Sequence, residues 1–156
     1  MKRIAFIIGG GAAALSALML RPSSANEAYA VTHTDDEWQR VLGSERFTIL
    51  RRNGTEPPDS SPLLNEHRTG TYFCAGCDLA LFDSKMKYDS GDGWPSFWTV
   101  RPHTTRTRDD YELVEKRTEV HCTRCGGHLG HIFDDGPAPT HLRYCIDGLA
   151  LRFKPA

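Results

Sequence analysis

Thr118-Glu119-Val120-His121-Cys122-Thr123-Arg124-Cys125 carries a β-type run straight into a Cys-x-x-Cys turn, and Thr71-Tyr72-Phe73-Cys74-Ala75-Gly76-Cys77 repeats that order upstream. β-Branched and aromatic residues suit a pleated, half-buried strand. A tight turn between two cysteines presents both thiolates on one side, the geometry of a zinc knuckle. Two knuckles supply the four ligands of a closed tetrahedral zinc site: Cys74, Cys77, Cys122 and Cys125. Residues 78–121 between the pairs exceed the usual short ribbon spacing, so the spacing alone does not bring the knuckles together. The competing reading is disulfides, but one formed within Cys-x-x-Cys closes a strained ring of the redox-active kind.

Outward from the knuckles, further β-type runs are separated by turns. They cover Leu79 to Phe82, Phe97 to Val100, Tyr111 to Val114, Ile132-Phe133, Leu142 to Ile146 and Ala150 to Phe153. Short runs at this spacing predict a mainly β, antiparallel domain. Glu56-Pro57-Pro58-Asp59-Ser60-Ser61-Pro62, with three prolines in seven residues, predicts an ordered surface loop. Before it, Thr34-Asp35-Asp36-Glu37 fits a helix-starting capping box, and Trp38, Val41 and Leu42 share one helical face. Gly43 is expected to end that helix and Gly54 a second short one through Phe47 and Leu50, since glycine enters the left-handed region cheaply.

The first thirty residues read as a signal peptide. Met1-Lys2-Arg3 is basic, Ile4 to Leu20 carries no charge, and Ala28-Tyr29-Ala30 offers the small residues of a cleavage site. The uncharged stretch is shorter than the roughly 20 apolar residues of a spanning helix, which disfavours a retained anchor. Residues 1–30 are therefore expected to be removed, leaving residues 31–156 as one periplasmic or secreted domain, exported by either the Sec or the Tat route, with no stable membrane association. The net charge is −1 with both signs interspersed, so no basic face for nucleic acid is expected. Nor do Cys122, Cys125, His128 and His131 form a nucleic-acid-binding finger, because only Gly126-Gly127 separate the pairs where about twelve residues are needed.

Cys145 is the fifth and unpaired cysteine. A lone cysteine is most often an inert buried hydrophobe. Arg143, two residues away and on the same face of a strand, would favour its thiolate, and the segment Gly130-His131-Ile132-Phe133 could bring up a proton donor.

Three segments together carry a specific resemblance: Gly93-Trp94-Pro95-Ser96-Phe97, Cys125-Gly126-Gly127-His128-Leu129-Gly130-His131-Ile132-Phe133-Asp134-Asp135-Gly136, and Arg143-Tyr144-Cys145-Ile146. With Gly54-Thr55-Glu56 and both knuckles, they resemble methionine sulfoxide reductase B over residues 35–154. The resemblance implies two antiparallel sheets with small N-terminal helices, and reduction of the R epimer of methionine sulfoxide, free or peptide-bound. It implies that Cys145 attacks sulfur and becomes a sulfenic acid, that His131 assists protonation of the oxygen, that Asp135 orients the site and that Arg143 favours the thiolate. Trp94, Phe133, His128 and Asp147 are implied to hold the substrate. Plainer readings stand beside these, with Trp94 as core and Asp135 as a turn residue.

Two positions depart from the family pattern. Asp92 stands where many members carry a resolving cysteine in the Gly-x-Gly-Trp-Pro turn, and Asp147-Gly148 replaces a common asparagine-serine pair. With no spare cysteine, regeneration is expected from a thioredoxin-like protein or a small thiol. The alternative is a non-catalytic or weakly active zinc-bearing module that binds oxidised methionine, its site disabled by Asp147.

Overall fold

A computed structural model describes residues 28–156 apart from 112 and 114. The chain opens with helix α1 (Asp35–Arg52). The capping box is formed: Thr34 Oγ1 accepts from the Glu37 N–H at 3.3 Å, and Glu37 Oε2 accepts from the Thr34 N–H at 2.8 Å. Gly43, at φ 74° and ψ 167°, breaks the helical path and leaves two pieces joined at a kink. The end lies one residue earlier than expected. Asn53, not Gly54, takes the left-handed conformation (φ 53°), which asparagine tolerates better than most residues. Trp38, Leu42, Phe47, Ile49 and Leu50 are buried, whereas Val41 is 56% exposed and does not share their face.

Nine strands follow among the described residues: β1 (Gly70–Cys74), β2 (Ala80–Asp83), β3 (Lys87–Tyr88), β4 (Ser96–Phe97), β5 (Thr105–Asp110), β6 (Arg117–Cys122), β7 (His128–Phe133), β8 (Arg143–Ile146) and β9 (Leu151–Pro155). They form two antiparallel sheets, ordered β2-β1-β9 and β3-β4-β8-β7-β6-β5. The expected strand over Tyr111–Val114 is not formed at its described positions. Tyr111 and Leu113 lie in the β5–β6 connection, 69% and 60% exposed, while residues 112 and 114 lie outside the described residues. The expected run Phe97–Val100 is paired only at its start.

The core lies between the two sheets. Phe82 of the smaller sheet stacks on Phe97 of the larger, ring centroids 4.1 Å apart, and Tyr72 meets Phe97 edge-on at 5.0 Å. All three are fully buried. Burial of one such ring contributes about 2–3 kcal/mol, and paired rings add about 1 kcal/mol.

The register of the larger sheet positions the chemistry. Ser96 faces Cys145, Cys145 faces His131, His131 faces Glu119 and Glu119 faces Arg108, across β4, β8, β7, β6 and β5. Residues directly opposite in antiparallel strands project to the same face. One polar row therefore crosses the sheet, with Cys145 and His131 as neighbours within it. Gly130 makes the approach possible: a Cβ there would lie 2.1 Å from the Cys145 carbonyl oxygen, at a φ of 147° that side chains rarely adopt.

Candidate active site and cysteine cluster

The two Cys-x-x-Cys turns have one construction. The first cysteine's N–H donates to the carbonyl five residues on (Cys74 to Leu79, 2.8 Å; Cys122 to Gly127, 2.9 Å). Its own carbonyl accepts from the residue four on (Asp78 and Gly126, both 2.9 Å), and those two residues are left-handed at φ 56° and 68°. The four sulfurs converge within 4.8 Å of one another, with Cys74–Cys125 at 3.7 Å and Cys77–Cys122 at 3.5 Å. A tetrahedron with bonds of about 2.3 Å has edges of about 3.8 Å, whereas a disulfide needs about 2.0 Å. All five cysteines are free thiols. Hydrogen bonding within the cluster, led by Cys125, holds Cys122 far below the ordinary thiol range. The set thus fits a metal ion with no open position. It joins the end of β1 in one sheet to the end of β6 in the other, the long-range meeting that spacing alone left open.

Gly76 and Gly127 keep space around the cluster, since a Cβ on either would lie 3.3 Å from Cys125 Sγ. Val31 N–H donates to the Arg124 carbonyl at 3.0 Å, and the Tyr29 ring lies beside Gly126 and edge-on to His121. Of the segment expected to be a signal peptide, residues 1–27 lie outside the described residues.

Cys145 stands apart from the cluster, half-buried on β8. Arg143, on the same face, is gripped by two carboxylates. Asp135 takes its Nε at 2.7 Å and its Nη2 at 2.8 Å, and Asp92 takes its Nη1. The guanidinium also covers the Phe133 ring, 4.4 Å from its centroid. Burial and the Asp92 carboxylate push the Cys145 thiol up to about 12, and Arg143 only partly opposes them. Cys145 therefore rests as a thiol rather than as the thiolate that Arg143 alone would favour.

His131 Nε2 contacts Asp110 Oδ2 at 2.7 Å, and Asp110 also pairs with Arg117 at 2.7 Å. Burial holds His131 below the ordinary imidazole range, with the Asp110 hydrogen bond pulling the other way. His128 lies 5.4 Å away, ring to ring, its Nδ1 2.8 Å from Glu119 Oε1 and its Nε2 3.8 Å from Asp147 Oδ2. Asp147 is buried, and burial pushes its carboxyl up to about 6.

The Gly-Trp-Pro turn closes the other side. Trp94 is half-buried, its indole N–H donating to the Glu56 carbonyl at 3.1 Å, and Ile146 N–H donates to the Pro95 carbonyl at 3.0 Å. Glu56 ties these parts together. Its carboxylate accepts from the Gly148 N–H and, at 3.0 Å, from the Leu149 N–H, while its own N–H donates to Asp147 Oδ1 at 2.9 Å. A cavity of about 270 Å³ opens over His128 and His131, and one of about 880 Å³ over Ile132, Phe133 and Leu142. Neither is lined by Cys145, whose cross-strand neighbour His131 lines the smaller one.

The SelR domain family model matches residues 42–155. The chain belongs to the SelR, or methionine sulfoxide reductase B, family. It is 47% identical to the peptide methionine sulfoxide reductase MsrB of Leifsonia xyli, covering 81% of this chain and 93% of that protein. It is 47% identical to that of Methanosarcina barkeri (80% and 89%) and 50% identical to that of Azotobacter vinelandii (77% and 91%).

The structure brings together most of the residues expected from sequence. Cys145, His131, Arg143 and Phe133 share one face of β7 and β8, Asp135 is on Arg143, and His128 and Asp147 adjoin each other. Trp94 is placed by Glu56 on the neighbouring turn. Glu56, Asp110 and Glu119 join the site without a role expected from the sequence, and Asp92, expected only as the replacement of a resolving cysteine, is a partner of Arg143. Glu56 carried a signal, since it belongs to the Gly54-Thr55-Glu56 match, and Glu119 alternates with Val120 in a strand that buries both.

Proposed function

We propose that the chain reduces the R epimer of methionine sulfoxide, free or peptide-bound, to methionine through a sulfenic acid on Cys145, and that an external thiol regenerates it. The observation that carries this reading is the placement of one thiol outside the cysteine cluster, directly opposite His131 in the sheet and beside Arg143. The relatives' shared name supports the substrate.

A sulfoxide sulfur becomes electrophilic when its oxygen is hydrogen-bonded or protonated, so attack needs a thiolate and an acid on opposite sides of one small site. Cys145 supplies sulfur and His131 lies on the oxygen side. Phe133, stiffened under Arg143, and Trp94 give the thioether an apolar seat. Asp135 holds Arg143 in place. Cys74, Cys77, Cys122 and Cys125 hold zinc, which pins the two sheets together and takes no part in the chemistry. Because those four thiols are committed, the sulfenic acid at Cys145 is reduced by a thioredoxin-like protein or a small thiol.

Residues 1–30 serve as a signal for export in the same reading, supported by the basic start, the uncharged stretch and Ala28-Tyr29-Ala30. Cleavage after Ala30 would remove Tyr29 and leave the new amino terminus at the second knuckle, where Val31 bonds Arg124. N-terminal sequencing of the exported protein should begin at Val31.

The functional test is incubation with each sulfoxide epimer plus dithiothreitol, quantifying methionine. Turnover of the R epimer alone supports the reading. Binding without turnover would identify a non-catalytic module instead.

A further inference from the structure

Asp92 occupies the variable position of the Gly-x-Gly-Trp-Pro turn, between Gly91 (φ 73°) and Gly93 (φ 94°). Its carboxylate is fixed from several directions. Oδ1 accepts from Ser90 Oγ at 2.7 Å and from the Trp94 N–H at 3.1 Å, and Oδ2 accepts from Arg143 Nη1. Ser90 Oγ also lies 2.8 Å from Ser96 Oγ, and Ser96 is the cross-strand neighbour of Cys145. The Ser90–Ser96 link and the shared Arg143 place the Asp92 carboxylate beside Cys145, where burial and the Asp92 charge raise the thiol. Against burial, Ser90, the Trp94 N–H and Arg143 hold the Asp92 carboxyl itself below the usual carboxylate range. The other acidic groups nearby are turned to other partners. Asp135 sits on the outer edge of Arg143, and Asp147 takes the Glu56 N–H and faces His128. The Tyr88 phenol adjoins the group, and burial keeps it neutral.

We infer that Asp92 is the catalytic base of the reductase reaction, taking the Cys145 proton as the sulfur attacks and returning a proton to the departing hydroxyl during regeneration. This rests on the proposed reductase activity and deepens it. In the first half-reaction the Cys145 S–H bond breaks and its proton passes to Asp92. The sulfur's electron pair forms a bond to the sulfoxide sulfur, and the sulfoxide oxygen takes a proton from solvent by way of His131. Transfer of that hydroxyl to Cys145 breaks the new sulfur–sulfur bond, leaving its electron pair on the thioether. The substrate sulfur is reduced by two electrons and Cys145 is oxidised by two, to the sulfenic acid.

In the second half-reaction an external thiol attacks the sulfenic sulfur and releases its own proton to solvent. Asp92, which has returned the first proton to solvent, relays one from solvent to the leaving hydroxide, forming water and a mixed disulfide. A second equivalent of thiol then displaces Cys145, supplies its proton and leaves as the external disulfide. Proton transfer to Asp92 also changes what Arg143 does. Once Asp92 is neutral, Arg143 keeps one carboxylate partner, and its charge is free to stabilise the sulfur anion.

The test is Asp92→Asn, read in two ways: the thiol pKa from ultraviolet absorbance of the thiolate, and the single-turnover rate with the R-sulfoxide. Asparagine removes the negative charge facing Cys145, so the thiol pKa should fall. The rate should nevertheless fall on the order of a hundredfold, the range expected when a positioned base is lost. Asp92→Glu should recover part of it. A lower thiol pKa with an equal or faster rate overturns the assignment, since Asp92 would then be only an opposing charge. Asp92→Ala with added formate carries the same test should the asparagine variant not fold. A rate that climbs with formate supports a base, and one indifferent to formate overturns it. A wild-type chain that reduces neither epimer overturns the reductase reading and this assignment together. Wild-type turnover matched by Asp92→Asn overturns the assignment alone.

Discussion

Asp147→Asn should stabilise the protein at neutral pH, by an amount that depends on pH in one direction. Asp147 is 3% exposed, and burial pushes its carboxyl up to about 6 from an ordinary value near 3.8. The folded state therefore binds this proton more tightly than the unfolded chain does. Its contribution is most favourable below the unfolded value and is lost as pH rises through the folded value. A shift of about two units corresponds to ~3 kcal/mol. Asparagine keeps an oxygen for the Glu56 N–H and turns an N–H toward His128 Nε2, which has no hydrogen-bond partner among the described residues. The variant should exceed wild type by up to ~3 kcal/mol at neutral pH, and the gap should close as the solution is acidified below about pH 4. Urea unfolding of both proteins across that range measures it. A gap that does not change with pH would show that Asp147 does not titrate as a buried carboxyl. The Asp147 charge also raises the Cys145 thiol, so the same substitution should speed sulfoxide reduction at neutral pH. An equal or slower rate would mean the carboxylate is useful.

Other substitutions probe the remaining parts. Cys145→Ser should abolish turnover with zinc content and melting temperature unchanged, because a hydroxyl is far less nucleophilic than a thiolate; residual activity would relocate the nucleophile. Cys74→Ser, and equally removal of zinc by a chelator, should unfold the chain by releasing the join between β1 and β6, read by circular dichroism and metal analysis. Gly130→Ala should separate β7 from β8, since its Cβ would meet the Cys145 carbonyl at 2.1 Å, and should cost both stability and turnover with zinc retained. A stable, active Gly130→Ala protein would show that the His131–Cys145 register is not needed.

Strands were legible in the sequence where one face is buried in the core. Thr71–Phe73 and Thr118–His121 alternate or run apolar because Tyr72 and Val120 are fully buried. Thr105–Asp110 was not legible: its composition is polar because β5 is an edge strand with four exposed residues, held by pairing to β6 rather than by burial. Tyr111 and Leu113 misled for the opposite reason, being apolar residues on an exposed connection. At the site, reactive types in a recognisable motif were readable, and their supports were not. Glu56 reaches Gly148 and Leu149, and Asp92 reaches Arg143, across distances in sequence that no local pattern spans. The elevated Cys145 thiol follows from that same unseen geometry, since Arg143 two residues away suggested the reverse.

The central claim is a one-thiol reduction at Cys145, and a reductant-free burst tests it most directly. Protein mixed with excess R-sulfoxide and no thiol should release about one methionine per chain and stop, as a single sulfenic acid requires. Dimedone should then label Cys145 and leave the four cluster cysteines on their metal. No methionine, or a burst accompanied by a disulfide from Cys145 to a cluster cysteine and release of zinc, would contradict the account.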